Sequence, residues 1–544
     1  MKPAPTPWTY AAIWESIAAA IPNELAIVQG SREVCWAELD SAANGLAAQF
    51  LDADISHQGK VAVYARNCPE YLIATYAALK ISTVPFNVNY RYTSEEIAFL
   101  LESGDAEVVV FEAEFAAVIE PIRARCDRVK RWIAFATPGY PAPDWAQDLV
   151  TIEPLEACPT PPWPRSEDDL LFIFTGGTTG MPKAVMWRQG DLMARGNYGA
   201  NPLVGIPPLE NPEAAGPRAK LMPIRSRSLI APPLMHGTGL ISAFGAFTAG
   251  GAVLLTGNGH FDAEAIWDLA ENYKATRMTL VGQPFAQPLL EALDANPGRW
   301  DLSSVRFMGS SGAMWSIENK RGLIGHIPDL AIIDSFSSSE AFGLGASTMT
   351  RDSEVETAKF MLGPDCAVFS EDGRRIEPGS DEAGKVAVGG PIPLGYYKDA
   401  AKTASTFIEL EGRRWSMPGD WATVAADGTL TVLGRGSQCI NTGGEKVFPE
   451  EVEEVLKRHP AVRDASVSGM PDPRFGERIG ALAELHPGAS ANPQDLIAHV
   501  RAHLSHYKAP RHLLIVTTIP RAPNGKMDYA SVKSLLIDVF SEPA

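Results

Sequence analysis

Between Gly237 and Gly259 the chain reads GTGLISAFGAFTAGGAVLLTGNG, without one charged residue. A run this long and apolar can cross a bilayer or thread a protein core, so its reading constrains the rest of the chain. Glycine interrupts it repeatedly, and the pair Gly250 and Gly251 divides it into a small-residue segment and the short run AVLLT. The pattern therefore predicts a buried helix, a turn and a strand in a soluble fold.

The flanking sequence agrees. KVAVYA and AEVVVFE are short buried strand patterns, and PEYLIATYAALKIS between them keeps helical spacing at Leu72, Ile73, Tyr76, Ala77 and Leu79. Alternation resumes with AEAIWDLAENYK as a helix, RMTLVGQ as a strand, a helix from Phe285 to Leu293, and the strand VRFMGSSG. LAIIDSFSSSE reads as a strand that ends in a polar loop. Such alternation implies an α/β fold of parallel layers, with chemistry collecting where strands end. With 544 residues, two or more domains are expected. GTLTVLG is a strand, a new helix starts at Pro449, two strands follow in VRDASVSGM and RIGALAEL, and a helix covers Pro493 to Leu504. A boundary near Gly434 divides the chain into residues 1–434 and 435–544.

Charge narrows the function. Lys and Arg number 47 against 65 Asp and Glu, a net charge of −18, which opposes nucleic-acid binding because that affinity comes mostly from cations on phosphates. The six cysteines are scattered with no CxxC pair, so neither a zinc site nor a disulfide framework is indicated. A reducing cytoplasm fits. The N-terminus has no basic start followed by an apolar core, so no signal peptide is read.

After the acidic SEDDL comes FIFTGGTTGMPK, Phe172 to Lys183. Its glycines let backbone N–H groups approach oxygens, its threonines add hydroxyls and Lys183 adds charge, all suited to phosphate. Met181 and Pro182 separate Gly180 from Lys183, so it is not the phosphate loop in which Gly-Lys-Ser/Thr opens a helix.

FIFTGGTTGMPKAV, APPLMHGTG, DSFSSSEAFG, WSMPGDWATVAADG, LGRGSQCINTGGEKVFPEEVE and PRAPNGKMD follow one another in the chain. In order and spacing they resemble the adenylate-forming superfamily of acyl-CoA synthetases, nonribosomal adenylation domains and firefly luciferase, from about Glu24 to Met527. NVNYRY and INTGGEKVFPEEVEE resemble the branch acting on long-chain or steroid side-chain acids. The resemblance implies a large N-terminal domain of layered sheets and helices and a small mobile α+β C-terminal domain. It also implies ATP, Mg2+ and coenzyme A. A carboxylate attacks the α-phosphorus to give an acyl-adenylate and pyrophosphate, and the CoA thiol then displaces AMP.

On this resemblance Thr175, Gly176, Gly177, Thr178, Thr179, Gly180 and Lys183 hold the β- and γ-phosphates. Glu340 is the magnesium ligand and Ser339 donates to the α-phosphate. Asp334 accepts from the adenine amino group, Phe336 stacks on the base, and Ser311, Gly312 and Ala313 line it. Asp420 takes the ribose hydroxyls, with Arg435 beside it. His236 gates the acyl pocket, although a histidine between Met235 and Gly237 also reads as a core residue. Lys526 contacts the carboxylate and α-phosphate during adenylation. The chain departs from the family where Phe336 and Ser337 replace Tyr-Gly, where Ala184 replaces a glycine and where neutral Gln438 stands at the pivot.

The expected substrate is a bulky hydrophobic acid, with steroid-derived acids set ahead of fatty acids. The rival acceptor is a carrier protein. Oxidation of the adenylate is a weaker rival because no motif requires it, and a non-enzymatic nucleotide sensor is weaker because Lys526 and Glu340 are both present. The Pro/Gly-rich segment 196–228 is long for a connection and fits a lid. A homodimer and peripheral membrane association are both compatible with the sequence.

Overall fold

A computed structural model describes residues 5–176, 181–201, 205–257, 261–312, 317–353, 359–435, 440–443, 445–447, 449–486, 488–520 and 528–540. The charge-free run forms the helix Gly237–Thr248, a turn with Gly250 at φ +70°, and the strand Ala252–Leu255. Among the described residues no helix is long and apolar enough to cross a membrane. Gly250 is needed for more than its dihedral, because a Cβ there would lie 2.5 Å from that of Ala219.

The helix has two faces with different tasks. Leu240, Ala243, Phe244 and Phe247 are buried. Phe244 and Phe247 meet Trp14 of the N-terminal helix Tyr10–Ala20 edge-on, with ring centroids 5.0 and 5.2 Å apart. Such aromatic contacts add about 1 kcal/mol each beyond area burial. The opposite face carries Thr238, Ile241, Ser242 and Gly245, which are only partly covered or exposed.

Three sheets organise the chain. A fifteen-stranded sheet includes a parallel block from Leu25–Gln29 through Ala252–Leu255, Arg227–Ile230, Arg277–Leu280 and Phe307–Ser311 to Ala331–Ser338. Beyond Ala331–Ser338 the pairing turns antiparallel. An eight-stranded sheet has parallel strands Arg131–Phe135, Ala106–Glu112, Lys60–Tyr64, Val84–Asn87 and Leu170–Gly176, then the antiparallel Pro182–Arg188 and Gly395–Tyr396. A five-stranded sheet combines Ile440–Thr442, Glu445–Val447, Val462–Asp472, Gly476–Leu485 and His512–Val516. The strand Thr429–Arg435 is the last in chain order to join the first sheet, and Ile440–Thr442 opens the third.

One reading differs from the structure. SFSSSE is not a loop: the strand continues to Ser338, turns at Ser339 and Glu340, and returns as Ala341–Met349. Serines have little intrinsic strand preference, and it is the ladder with the returning strand that extends them. The segment 196–228, read as a long connection that fits a lid, contains regular structure among its described residues. It includes the helix Ala215–Leu221, which packs on Tyr10–Ala20 so closely that a Cβ on Gly216 would lie 2.3 Å from the Ser16 carbonyl oxygen.

A buried asparagine ties the eight-stranded sheet to the turn before the helix Gly237–Thr248. Asn87 Nδ2 donates to the carbonyls of Phe174 at 3.1 Å and Met235 at 2.6 Å, and its Oδ1 accepts from Phe174 N at 2.8 Å. Asn67 holds the same turn, accepting from Leu234 N at 2.7 Å and donating to Pro232 O at 2.9 Å. Asn87→Ala is therefore expected to destabilise the protein by about 3 kcal/mol, since buried backbone groups lose their partners. A thermal unfolding scan checks this, and an unchanged midpoint would refute it.

Candidate active site

The Gly-Thr motif lies on a hairpin. Leu170–Gly176 runs antiparallel to Pro182–Arg188, with Thr175 opposite Lys183. Gly177, Thr178, Thr179 and Gly180 lie outside the described residues, and so do Ala313 and Lys526. Lys183 Nζ pairs with Asp399, whose side chain also caps the helix Ala400–Thr406. Hydrogen bonding to Lys183 holds the Asp399 carboxyl below its usual range.

The second hairpin carries the acidic residues. Asp334 ion-pairs with Lys320, both largely buried. Phe336 packs against Phe360 with ring centroids 5.6 Å apart. The Ser339 carbonyl accepts from Trp187 Nε1 at 2.9 Å. Glu340 is buried and held twice: its Oε1 accepts from the Tyr396 hydroxyl at 2.8 Å and its carbonyl from Ser416 Oγ at 2.6 Å. Asp420 and Arg435 are register partners on adjacent strands. Asp420 is buried.

Between the hairpins lies a cavity of about 310 Å³. It gathers Thr175, His236, Gly237, Ser311, Gly312 and Ser339 from the expected set, but not Lys183, Asp334, Phe336, Glu340 or Asp420. The open face of the helix Gly237–Thr248 supplies Thr238, Ile241 and Ser242 to its wall, and Phe342 stacks on Trp187 beside them. Gly237 is not enforced by crowding, since an added Cβ would make ordinary contacts with Phe342 and Ser339 at 3.9 and 4.0 Å.

Glu445, within INTGGEKV, closes this cavity and had no role assigned from sequence. Its Oε1 lies 3.0 Å from His236 Nε2 and 2.5 Å from the Arg91 guanidinium. Burial alone would raise the Glu445 pKa, but His236, Arg91 and Lys508 together lower it to about 2. An ionised carboxylate only accepts, so His236 donates from Nε2. Arg91, Tyr507 and Lys508 were likewise missed. Arg91 stands inside the quoted NVNYRY, yet nothing local in that motif points to a partner 354 residues away.

A second cavity of about 790 Å³ starts at Tyr90 and Arg91. Arg32 and Arg66 line one side, paired with Glu70, Glu112 and Glu114, while Phe261, Ile266 and Phe285 form an apolar wall.

The family profile described as AMP-binding enzyme matches residues 14–397, and the AMP-binding enzyme C-terminal domain matches residues 451–526. The chain belongs to the AMP-binding enzyme family. It is 35% identical over 525 residues to a medium/long-chain-fatty-acid–CoA and 3-oxocholest-4-en-26-oate–CoA ligase of Mycolicibacterium smegmatis, covering 95% of this chain and 94% of that one. It is 36% identical over 529 residues to a 3-oxocholest-4-en-26-oate–CoA ligase of Rhodococcus rhodochrous, covering 94% and 93%. Among solved structures, an amide bond synthetase from Marinactinospora thermotolerans superposes with a TM-score of 0.80 at 24% identity, over 97% of this chain and 99% of that one. That likeness shows that the AMP-binding fold is shared.

The charge state of Glu445 has a pH consequence. A carboxyl lowered from its ordinary 4.5 to about 2 stabilises the folded arrangement fully above 4.5, and the contribution fades as pH falls toward 2. The contact of Glu445 with His236 and Arg91 is thus expected to persist down to about pH 5. Hydrogen exchange of residues 440–443 and 445–447 followed against pH checks this. Release of Glu445 near neutral pH would contradict it.

Proposed function

We propose that this AMP-binding enzyme activates a hydrophobic carboxylic acid, a steroid-derived or medium- to long-chain fatty acid, and transfers the acyl group to coenzyme A. It is an AMP-forming acid–CoA ligase. The observation that carries the reading is Glu445, buried against His236 in the wall of the cavity. It brings the INTGGEKV segment to the place where a thiol has to meet an activated acyl group. The names of the relatives support the acid class, and the small-residue face of Gly237–Thr248 supports a wide acyl pocket.

In the proposed first half-reaction, residues Thr175 to Lys183 hold the β- and γ-phosphates, and Lys183 exchanges Asp399 for phosphate oxygen. Asp334 and Phe336 receive adenine with Ser311, Gly312 and Ala313, while Asp420 and Arg435 hold the ribose. Ser339 and Lys526 face the α-phosphate as charge builds there, and preorganised donors of this kind are a large catalytic term. Among the described residues no cluster of three or more acidic, His or Cys side chains could cage a metal. One buried carboxylate, Glu340, fits Mg2+, which commonly uses one or two carboxylates with the phosphates and water. Bound there, the ion would neutralise phosphate charge.

For the second half-reaction we assign residues 435–544 as a mobile domain separate from 1–434. The change of sheet between Arg435 and Ile440 supports that division. The 790 Å³ cavity beyond Arg91 is a candidate for the phosphate-bearing end of CoA, since arginines line it. A cytoplasmic setting fits the cysteines, five of which are free in the structure.

Fatty, aromatic and steroid acids supplied with ATP, with and without CoA, test the reading. AMP and acyl-CoA are expected to appear together with one acid class. Adenylate without thioester would point instead to a carrier-protein acceptor. Lys526→Ala is expected to slow adenylation about a hundredfold or more, yet to leave thioester formation from supplied acyl-adenylate nearly intact. Equal loss in both steps would remove Lys526 from its assigned role.

A further inference from the structure

A second buried ion pair joins the C-terminal residues to the large N-terminal region, and its Lys508 also lines the 310 Å³ cavity while Glu96 does not. Glu96, on the helix Ser94–Ser103, has Oε1 3.3 Å from Lys508 Nζ, and its Oε2 accepts from Ser505 Oγ at 2.9 Å. Both charged side chains are only 3% exposed. Lys508 Nζ also lies 5.1 Å over the Tyr92 ring, and Asn89 Nδ2 donates to the Tyr507 hydroxyl at 3.3 Å. Glu96 is itself oriented by its helix cap, where Oε2 accepts from Thr93 N at 2.8 Å.

A buried pair adds little net stability, but burying one charge without its partner is strongly unfavourable. The Glu96 carboxylate therefore favours the burial of Lys508 at this site. The same approach brings Glu445 to His236 and Arg91, because the strands Gly476–Leu485 and His512–Val516 connect the two contacts through one sheet. We infer that Glu96 is a positioning residue for the thioester half-reaction, receiving Lys508 and Ser505 and so setting the C-terminal domain in register with the acyl cavity. The inference rests on the proposed ligase mechanism with a mobile C-terminal domain. Glu96 touches no substrate; it acts through the elements it docks.

The full-length enzyme tests this with the half-reactions measured separately. In Glu96→Gln, an amide oxygen still caps the helix but the carboxylate that ion-pairs with Lys508 Nζ is neutralised. ATP–pyrophosphate exchange is expected to match the original enzyme, while single-turnover transfer from acyl-adenylate to CoA falls about tenfold or more. Preserved exchange would itself show that the variant folds, and Glu96→Asp is expected to recover part of the transfer rate. Ser505→Ala, which leaves the cap untouched, is expected to slow transfer several-fold and gives an independent arm should Glu96→Gln fold poorly. Transfer unchanged in both Glu96→Gln and Ser505→Ala, or exchange and transfer falling together in both, would overturn the inference while leaving the ligase reading standing. If the original enzyme forms no acyl-CoA with any acid, the ligase reading fails and the role of Glu96 fails with it.

Discussion

Asn87 is the joint on which the site depends. Its amide spans the strand Val84–Asn87, the strand Leu170–Gly176 and the turn before Gly237–Thr248, with three hydrogen bonds in a buried position. Backbone groups buried here have no water to turn to, so the amide defines the distance between the Gly-Thr hairpin and the His236 turn. Asn67 repeats the device one turn earlier, at Pro232 and Leu234. Thr175 and His236 face one cavity, and these two side chains hold the neighbouring backbone at Phe174, Leu234 and Met235.

Around that cavity, four largely buried carboxylates have a cation or hydroxyl assigned to them. Asp334 has Lys320, Glu340 has the Tyr396 hydroxyl, Glu445 has His236 and Arg91, and Glu96 has Lys508 and Ser505. The first two fix side chains within the N-terminal region. The last two connect it to residues of the five-stranded sheet and the turn His506–Lys508. Ionic contacts suit the domain movement we propose, because charges that separate are taken up by water. The hydrophobic contacts that hold the helix Gly237–Thr248 to Trp14 have no such alternative.

Much of this was legible locally. The glycine pair at 250 and 251 located the end of the charge-free helix, since a positive φ at the turn suits glycine. Strands such as Ala106–Glu112 followed from β-branched runs, and Pro449 marked the start of the helix Pro449–Lys457. Other features were hidden because their cause lies in a distant partner. The serines of SFSSSE extend only against the returning strand, and the helix Ala215–Leu221 in a Pro/Gly-rich segment is secured by its packing on Tyr10–Ala20. Glu445 and Lys508 looked like ordinary charges, for their partners stand 209 and 412 residues away.

By itself the sequence determined the layered α/β architecture, the family resemblance and the residue types available for phosphate, ribose and metal. These depend on periodicity, turn chemistry and motifs that stay within short windows of chain. Only the tertiary structure decided which of those residues share a cavity, and that a carboxylate from the last hundred residues completes it. Burial is the physical reason: Glu445 and Glu96 become strong, selective contacts only after folding removes water from around them.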